Sequence, residues 1–204
     1  MLRWVMGVIS SAGYIGIVAL MFIENIFPPI PSELIIPLAG YLVSKGQLEF
    51  SGVIIAGTIG SVLGALPLYY AGRKFKEKRL RKLTKKYGRW LAMSEADIDR
   101  AQNWFEKYGG WTVFFCRLVP GIRSVISIPA GIHRMNVASF LLWSTAGMAL
   151  WTTVLTSAGY LLKSNFEKFE QYLDPFSYIV FGALLSIYIY RVVKMRDASE
   201  DAAD

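Results

Sequence analysis

The feature that most constrains how this chain can fold is a set of long runs without any charge. Residues 52–72 read GVIIAGTIGSVLGALPLYYAG, and residues 137–162 and 175–190 also lack Asp, Glu, Lys and Arg. A helix of about 20 apolar residues covers the roughly 30 Å hydrocarbon core of a bilayer. Several such runs, with Trp and Tyr near their ends, predict an all-α polytopic membrane protein.

The charges lie between these runs, which explains how a chain that is 54% hydrophobic carries a net charge of +7. Residues 73–89 hold ten Lys or Arg and one acid. The positive-inside rule places this loop in the cytoplasm, where it solvates a surface or contacts anionic lipid headgroups. Nucleic-acid binding is the other common meaning of such a run, and the adjoining membrane segments argue against it. The basic residues after residue 190 also place the C-terminus in the cytoplasm, followed by an acidic tail at 197–204.

Two further segments are expected to be helical. Residues 94–108 begin with a capping-box pattern and place apolar residues on one face, which predicts a cytoplasmic surface helix that ends at Gly109. The N-terminal apolar stretch is read as an uncleaved part of the fold. The division of residues 5–21 between a surface segment and a hairpin arm stays open, with Gly13 and Gly16 as candidate breaks.

Residues 110–131 are predicted to enter the membrane and return without crossing it. Two crossings, 137–162 and 175–190, connect them to the cytoplasmic C-terminus, so both of their ends must face the cytoplasm. Pro120 and Gly121 break this stretch into two arms of about half a bilayer each. Broken backbone survives at that depth only when it is buried in protein or faces water.

Residues 22–43 repeat the same pattern, with a break formed by three prolines, Pro28, Pro29 and Pro31. A shift of 92 residues aligns Pro28 with Pro120, and with one gap Ala39-Gly40 aligns with Ala130-Gly131. One crossing, 52–72, separates the two segments. The sequence therefore predicts two inverted repeats, each with a re-entrant hairpin, and a site near the midplane between them.

The hairpins carry four charges: Glu24 and Glu33 in the first, and Arg117 and Arg123 in the second. One charge at the bilayer centre costs about 2.5–3.5 kcal/mol, so these groups must be paired or hydrated. A purely structural interpretation is that the acids neutralise the arginines and hold the hairpins together. The functional interpretation is that the arginines bind a phosphate group bidentately while the carboxylates take up protons.

The chain has one cysteine, Cys116, and one histidine, His133. They cannot form an internal disulfide or a Cys/His metal site, and no cofactor is expected. We interpret Cys116 as an apolar filler and His133 as an interfacial residue. A histidine-type lipid phosphatase needs two histidines, so the sequence argues against an enzyme.

The motifs ENIFPPIPSE…PLAG and FFCRLVPGIRSVISIPAGIHRM resemble the DedA family of bacterial membrane proteins, part of the VTT superfamily, over about residues 10–165. The resemblance implies opposed re-entrant hairpins and the movement of lipids between leaflets, in some members with proton motive force. It implies undecaprenyl phosphate or phosphatidylethanolamine as substrate. The family's functional acids fall on Glu24 and Glu33, and its arginines fall on Arg117 and Arg123. The short PPIPSE tip departs from several members.

We therefore expect a flippase of the bacterial cytoplasmic membrane that carries undecaprenyl phosphate and is coupled to protons. Phosphatidylethanolamine is the alternative cargo, and a lipid phosphatase or a non-transporting assembly factor is the alternative class. The small-residue face formed by Gly57, Gly60 and Gly64 suits close helix packing and leaves a homo-oligomer open.

The predicted topology can be tested with single cysteines introduced into a background that lacks Cys116. Cysteines at Lys45 and Lys163 should react with an impermeant maleimide from outside the cell, and one at Lys82 only after lysis. Labelling of positions 45 and 82 from the same side would contradict the inverted-repeat arrangement.

Overall fold

The structure is a computed structural model that describes residues 2–26, 32–74, 103–119 and 122–162. Within these ranges the chain contains helices and no strand, which confirms the predicted all-α membrane fold. The helices, in chain order, are α1 (Leu2–Ile26), α2 (Ser32–Ser44), α3 (Phe50–Lys74), α4 (Gly110–Arg117), α5 (Ser127–Ile132) and α6 (Val137–Leu161). Residues 103–108 are also helical.

Three of the described helices are long and apolar enough to cross a membrane: Trp4–Ile26 within α1, α3, and α6. Helices α3 and α6 coincide with the uncharged runs 52–72 and 137–162. At 25 residues each, they would extend roughly 37 Å at 1.5 Å per residue. Helix α2 has 13 residues, about half of that length.

Two glycines with positive φ bend the chain. One lies in the middle of α1 and the other immediately precedes α4. Gly13 has φ 56° and Gly109 has φ 54°, a region that L-residues with a Cβ rarely adopt. After each bend the chain contacts the residue eight positions earlier. A Cβ at Gly16 would lie 2.8 Å from the Val8 carbonyl oxygen, and Thr112 Oγ1 donates to the Trp104 carbonyl oxygen at 3.0 Å. Of the two candidate breaks, Gly13 is therefore the real one, and Gly16 is helical.

The short helices pack on the long helix from the other half of the chain. Helix α2 lies against α6, and α5 lies against α3. These approaches are backbone to backbone: a Cβ at Gly40 would collide with the Thr156 carbonyl, and a Cβ at Gly131 would collide with the Tyr69 carbonyl. Only glycine permits such close helix packing.

The matching contacts support an internal duplication. Gly40 and Gly131 are the aligned glycines of the Ala-Gly pairs, and each one contacts the long helix of the opposite half. The reciprocal contacts also match, because Gly159 of α6 meets Pro37 and Gly72 of α3 meets the backbone next to Pro129. The inverted orientation and the re-entrant hairpins stay predictions.

Several predicted features lie outside the described residues. They are the hairpin-tip residues Pro28, Pro29, Pro31, Pro120 and Gly121, most of the basic loop 73–89, the first part of the surface helix 94–108, the crossing 175–190 and the tail 197–204.

The small-residue face of α3 is used within the chain. The position of Gly60 faces Val18 and Met21 of α1, and that of Gly64 faces Asn25. Gly57 faces Thr152 of α6. These glycines let α1 and α6 pack closely against α3.

Gly159→Ala should lower the thermal stability of the purified protein in detergent. Its new methyl group would collide with the Pro37 backbone, and such overpacking costs about 1–3 kcal/mol. Gly7→Ala is the matched control, because a Cβ there meets no atom within 4 Å and Ala favours a helix by about 0.5–1 kcal/mol. Equal melting temperatures for the two variants would contradict the close approach of α2 and α6.

Candidate functional site

An ion pair between Arg123 and Glu24 forms the centre of the site. Arg123 Nη2 donates to Glu24 Oε1, and the two residues are 99 positions apart in the chain. Each side chain is 7% exposed. Glu24 comes from the end of α1 and Arg123 from the segment between α4 and α5, so the pair joins the two predicted hairpins.

Arg117 lies beside this pair and is held without a carboxylate among the described residues. It is 1% exposed and is the largest fully buried side chain described. Its Nη1 donates to the Arg123 carbonyl oxygen, and its Nη2 donates to Ser127 Oγ at 3.0 Å and to Ser144 Oγ at 3.2 Å. Its guanidinium carbon lies 5.6 Å from the centre of the Phe140 ring, within cation–π range. Arg117 thus ties α5 and α6 to the backbone that carries Arg123.

Of the four charged residues predicted for the site, Glu33 is the one that does not take part in these contacts. It lies in the first turn of α2 and is half-buried. Among the described residues it forms no ion pair with Arg117 or Arg123. It lies close enough to Glu24 to act on that carboxylate electrostatically, as does Arg117. Of the two acids, Glu24 is therefore the direct partner of the arginines, and Glu33 contributes a second negative charge nearby.

The charges within the buried cluster do not cancel. Two guanidinium groups are enclosed, and among the described residues one carboxylate, that of Glu24, is in direct contact with one of them, Arg123. Glu24 Oε2 and Arg117 Nε are buried and have no hydrogen-bond partner among the described residues. A desolvated cation is costly unless it is paired, so this arrangement favours an additional anion.

A narrow cavity, with almost no room for a water molecule, adjoins the arginines between α1, α3 and α6. It is lined by Asn25, Ser61, Arg117, Arg123, Met148, Trp151 and Thr152. Asn25 Nδ2 donates to the Ser61 carbonyl oxygen at 3.1 Å, which attaches the end of α1 to α3. Asn25 Oδ1 and Trp151 Nε1 are buried and find no partner in the part of the chain that the structure describes.

Sequence reasoning missed the uncharged members of this site. Ser127, Ser144, Asn25 and Trp151 belong to it, and none was singled out from the sequence. The available signal was weak: each is a polar group in an otherwise apolar stretch, and Asn25 directly follows Glu24. Isolated serines are common in membrane helices. Ser127 and Ser144 differ from the others only because both contact Arg117 in the folded protein.

The remaining candidates lie apart from the site or contribute little chemistry. His133 is exposed and stacks on the Phe105 ring at a centroid distance of 5.5 Å. Cys116 is a free, half-buried thiol. Within the described ranges, no group of three or more His, Cys, Asp and Glu side chains could hold a metal ion.

The helices and the buried charges define an all-α integral membrane protein with an ion-paired site between its two halves. The VTT domain family model matches residues 30–161, which is more than half of the chain. The chain therefore belongs to the VTT domain family, which includes the DedA proteins, and the resemblance found in the sequence is confirmed.

Relatives match almost the whole chain. The chain is 37% identical to Undecaprenyl phosphate transporter A of Staphylococcus aureus over 91% of this chain and 92% of that protein. It is 35% identical to Undecaprenyl phosphate transporter A of Bacillus subtilis over 93% of this chain and 92% of that protein. It is 45% identical to an Alkaline phosphatase-like protein of Lactococcus lactis subsp. cremoris over 89% and 86% of the two chains. No solved structure matches the chain.

The Glu24–Arg123 pair predicts strong energetic coupling between the two residues. Glu24→Gln and Arg123→Gln should each destabilise the protein, by about 3–5 kcal/mol, because each leaves one buried charge without its partner. The double variant should be less destabilised than the sum of the single variants. Unfolding in detergent measures all three. Additive effects would show that the two side chains do not interact.

Proposed function

We propose that the protein moves a phosphate-bearing lipid between the leaflets of the bacterial cytoplasmic membrane, and that its cargo is undecaprenyl phosphate. The observation that carries this proposal is the buried Arg123–Glu24 pair beside Arg117, with more positive than negative charge in direct contact. The names of the two transporter relatives, each matched over more than nine-tenths of its length, support the same cargo.

Arg123 is the residue that exchanges partners in this proposal. A phosphate monoester carries up to two negative charges, and its oxygens match the planar donors of a guanidinium better than a single carboxylate oxygen does. Arg117 has its two Nη atoms committed to Arg123, Ser127 and Ser144, so it contributes Nε and a fixed positive charge. Phosphate binding thus replaces Glu24 on Arg123 while Arg117 keeps the frame in place.

The released carboxylate provides the proposed link to protons. Glu24 is buried, and its Oε2 has no partner within the described ranges even when Oε1 is paired. Once phosphate occupies Arg123, Glu24 would be an unpaired buried charge beside Glu33, and taking up a proton removes that cost. When phosphate leaves, the ion pair forms again and the proton is released. Neither a nucleotide nor a metal ion is needed for this cycle.

Two alternatives use the same charges. Phosphatidylethanolamine carries one phosphate charge and an ammonium, which could occupy Arg123 and Glu24 respectively. The relative named Alkaline phosphatase-like protein raises the possibility of a phosphatase, since phosphate recognition by arginine serves either activity. Release of inorganic phosphate from the lipid is the observation that would distinguish hydrolysis from transport.

The test is transbilayer movement of undecaprenyl phosphate in vesicles reconstituted with the purified protein, with phosphatidylethanolamine and phosphate release measured in parallel. Arg123→Lys should lower the rate at least about tenfold, because an ammonium cannot reproduce the bidentate contact. Arg134→Lys, an exposed site, is the matched control and should transport as the wild type does. Equal rates for the two variants would refute phosphate recognition by Arg123, and phosphate release would favour the enzyme.

The same vesicles test proton coupling when a pH gradient is imposed. The wild-type rate should depend on the gradient, and Glu24→Gln should retain lipid binding while losing that dependence, since Gln keeps the size of the side chain but cannot titrate. Wild-type transport that is indifferent to the gradient would rule out coupling. Loss of lipid binding in Glu24→Gln would instead assign Glu24 a structural role.

A further inference from the structure

Trp151 brings an unused hydrogen-bond donor to the cavity beside the arginines. It lies on α6 and lines the cavity together with Asn25 and Arg117. The indole Nε1 is fully buried and has no acceptor among the residues that the structure describes. Asn25 and Arg117 line the same cavity, and Asn25 Oδ1 and Arg117 Nε are also buried without a partner in the described ranges. Three unpaired polar atoms therefore line one narrow cavity, which has to widen to admit a ligand.

Such a grouping is costly unless something occupies it. A buried N–H without an acceptor loses its hydration and gains nothing in return, and the low polarity of a membrane protein's interior increases that loss. A phenylalanine at position 151 would fill similar space without this cost. The unpaired donors therefore indicate a ligand that supplies acceptor oxygens.

The orientation of Asn25 refines the chemistry of that ligand. Its Nδ2 donates to the Ser61 carbonyl oxygen, which fixes Oδ1 as the free atom. The space thus offers a cationic N–H from Arg117, a neutral N–H from Trp151 and one acceptor from Asn25. A phosphate monoester in its monoanionic form matches this set, because it has oxygens for both donors and one P–OH hydrogen for the amide oxygen.

We propose that Trp151 and Asn25 form a second phosphate subsite next to Arg123, in which the indole N–H donates to a phosphate oxygen and the amide oxygen accepts the P–OH hydrogen. The inference rests on the proposed function and extends it, since it makes these two residues selective for a monoester over a diester. A phosphodiester headgroup such as that of phosphatidylethanolamine has no P–OH hydrogen to give.

The test is binding to the full-length purified protein in detergent, measured as the rise in melting temperature with ligand concentration. The probes are farnesyl phosphate as a short polyprenyl monoester, inorganic phosphate, and farnesol without phosphate. Trp151→Phe removes the donor. A second variant carries benzothienylalanine at position 151, in which sulfur replaces the N–H at nearly unchanged volume. The matched control is Trp143→Phe, eight residues earlier on α6, where the indole packs on Trp111.

Farnesyl phosphate should stabilise the wild type and Trp143→Phe alike, and its apparent affinity should fall about tenfold or more in both position-151 variants, as expected for the loss of a hydrogen bond to a charged group. Without ligand, the position-151 variants should melt no lower than Trp143→Phe, because the donor has no partner to lose. In reconstituted vesicles Trp151→Phe should raise KM for undecaprenyl phosphate while leaving kcat within about twofold.

Unchanged farnesyl phosphate affinity in both position-151 variants would overturn the subsite. Stabilisation by inorganic phosphate as strong as that by farnesyl phosphate would assign the subsite to free phosphate and overturn its role for a lipid. Donor-dependent binding of farnesyl phosphate in a protein that moves no lipid would refute the proposed transport and leave the subsite standing. If the wild type transports the lipid and substitutions at position 151 have no effect, the proposed transport stands and the subsite is refuted.

Discussion

The ion pair between Glu24 and Arg123 is the interaction on which the rest of the structure depends. It joins the end of α1 to the segment between α4 and α5, 99 residues later, inside an apolar protein. Both charges have given up their hydration, so separating them without a replacement is strongly unfavourable. A substrate anion is one replacement, and a proton on the carboxylate is another. A buried pair of this kind can therefore hold two halves together and still respond to a ligand.

In the proposed exchange of partners at Arg123, Arg117 would have the complementary role of holding the surrounding helices in place. Its Nη atoms are directed at the Arg123 backbone and at two serines on α5 and α6. Glycine contacts between α2 and α6, and between α5 and α3, clamp the surrounding helices backbone to backbone. In the proposed cycle, phosphate could then replace Glu24 on Arg123 while the surrounding helices keep their positions. A binding site needs such fixed surroundings for selectivity.

The two halves share their packing but differ in their chemistry. In the first half Asn25 packs against Gly64 of α3, and in the second half Arg117, which the shift of 92 residues aligns with Asn25, packs against Gly147 of α6. The corresponding places thus hold a neutral amide in one half and a guanidinium in the other. The matching backbone contacts hold the helices of the two halves together in similar ways. The charged residues differ between the halves, so the protein has one ion-paired site and not two.

The sequence by itself determined the local features of this protein. Uncharged runs of sufficient length specify α3 and α6, and four charges in broken apolar stretches indicate a buried site, because these properties depend only on neighbouring residues. Only the tertiary structure decided that Glu24 and not Glu33 pairs with Arg123, that Ser127 and Ser144 hold Arg117, and that Asn25 and Trp151 line the same cavity. Those choices depend on how closely distant backbones approach, which the glycine contacts between α2 and α6 and between α5 and α3 set and which no local pattern encodes.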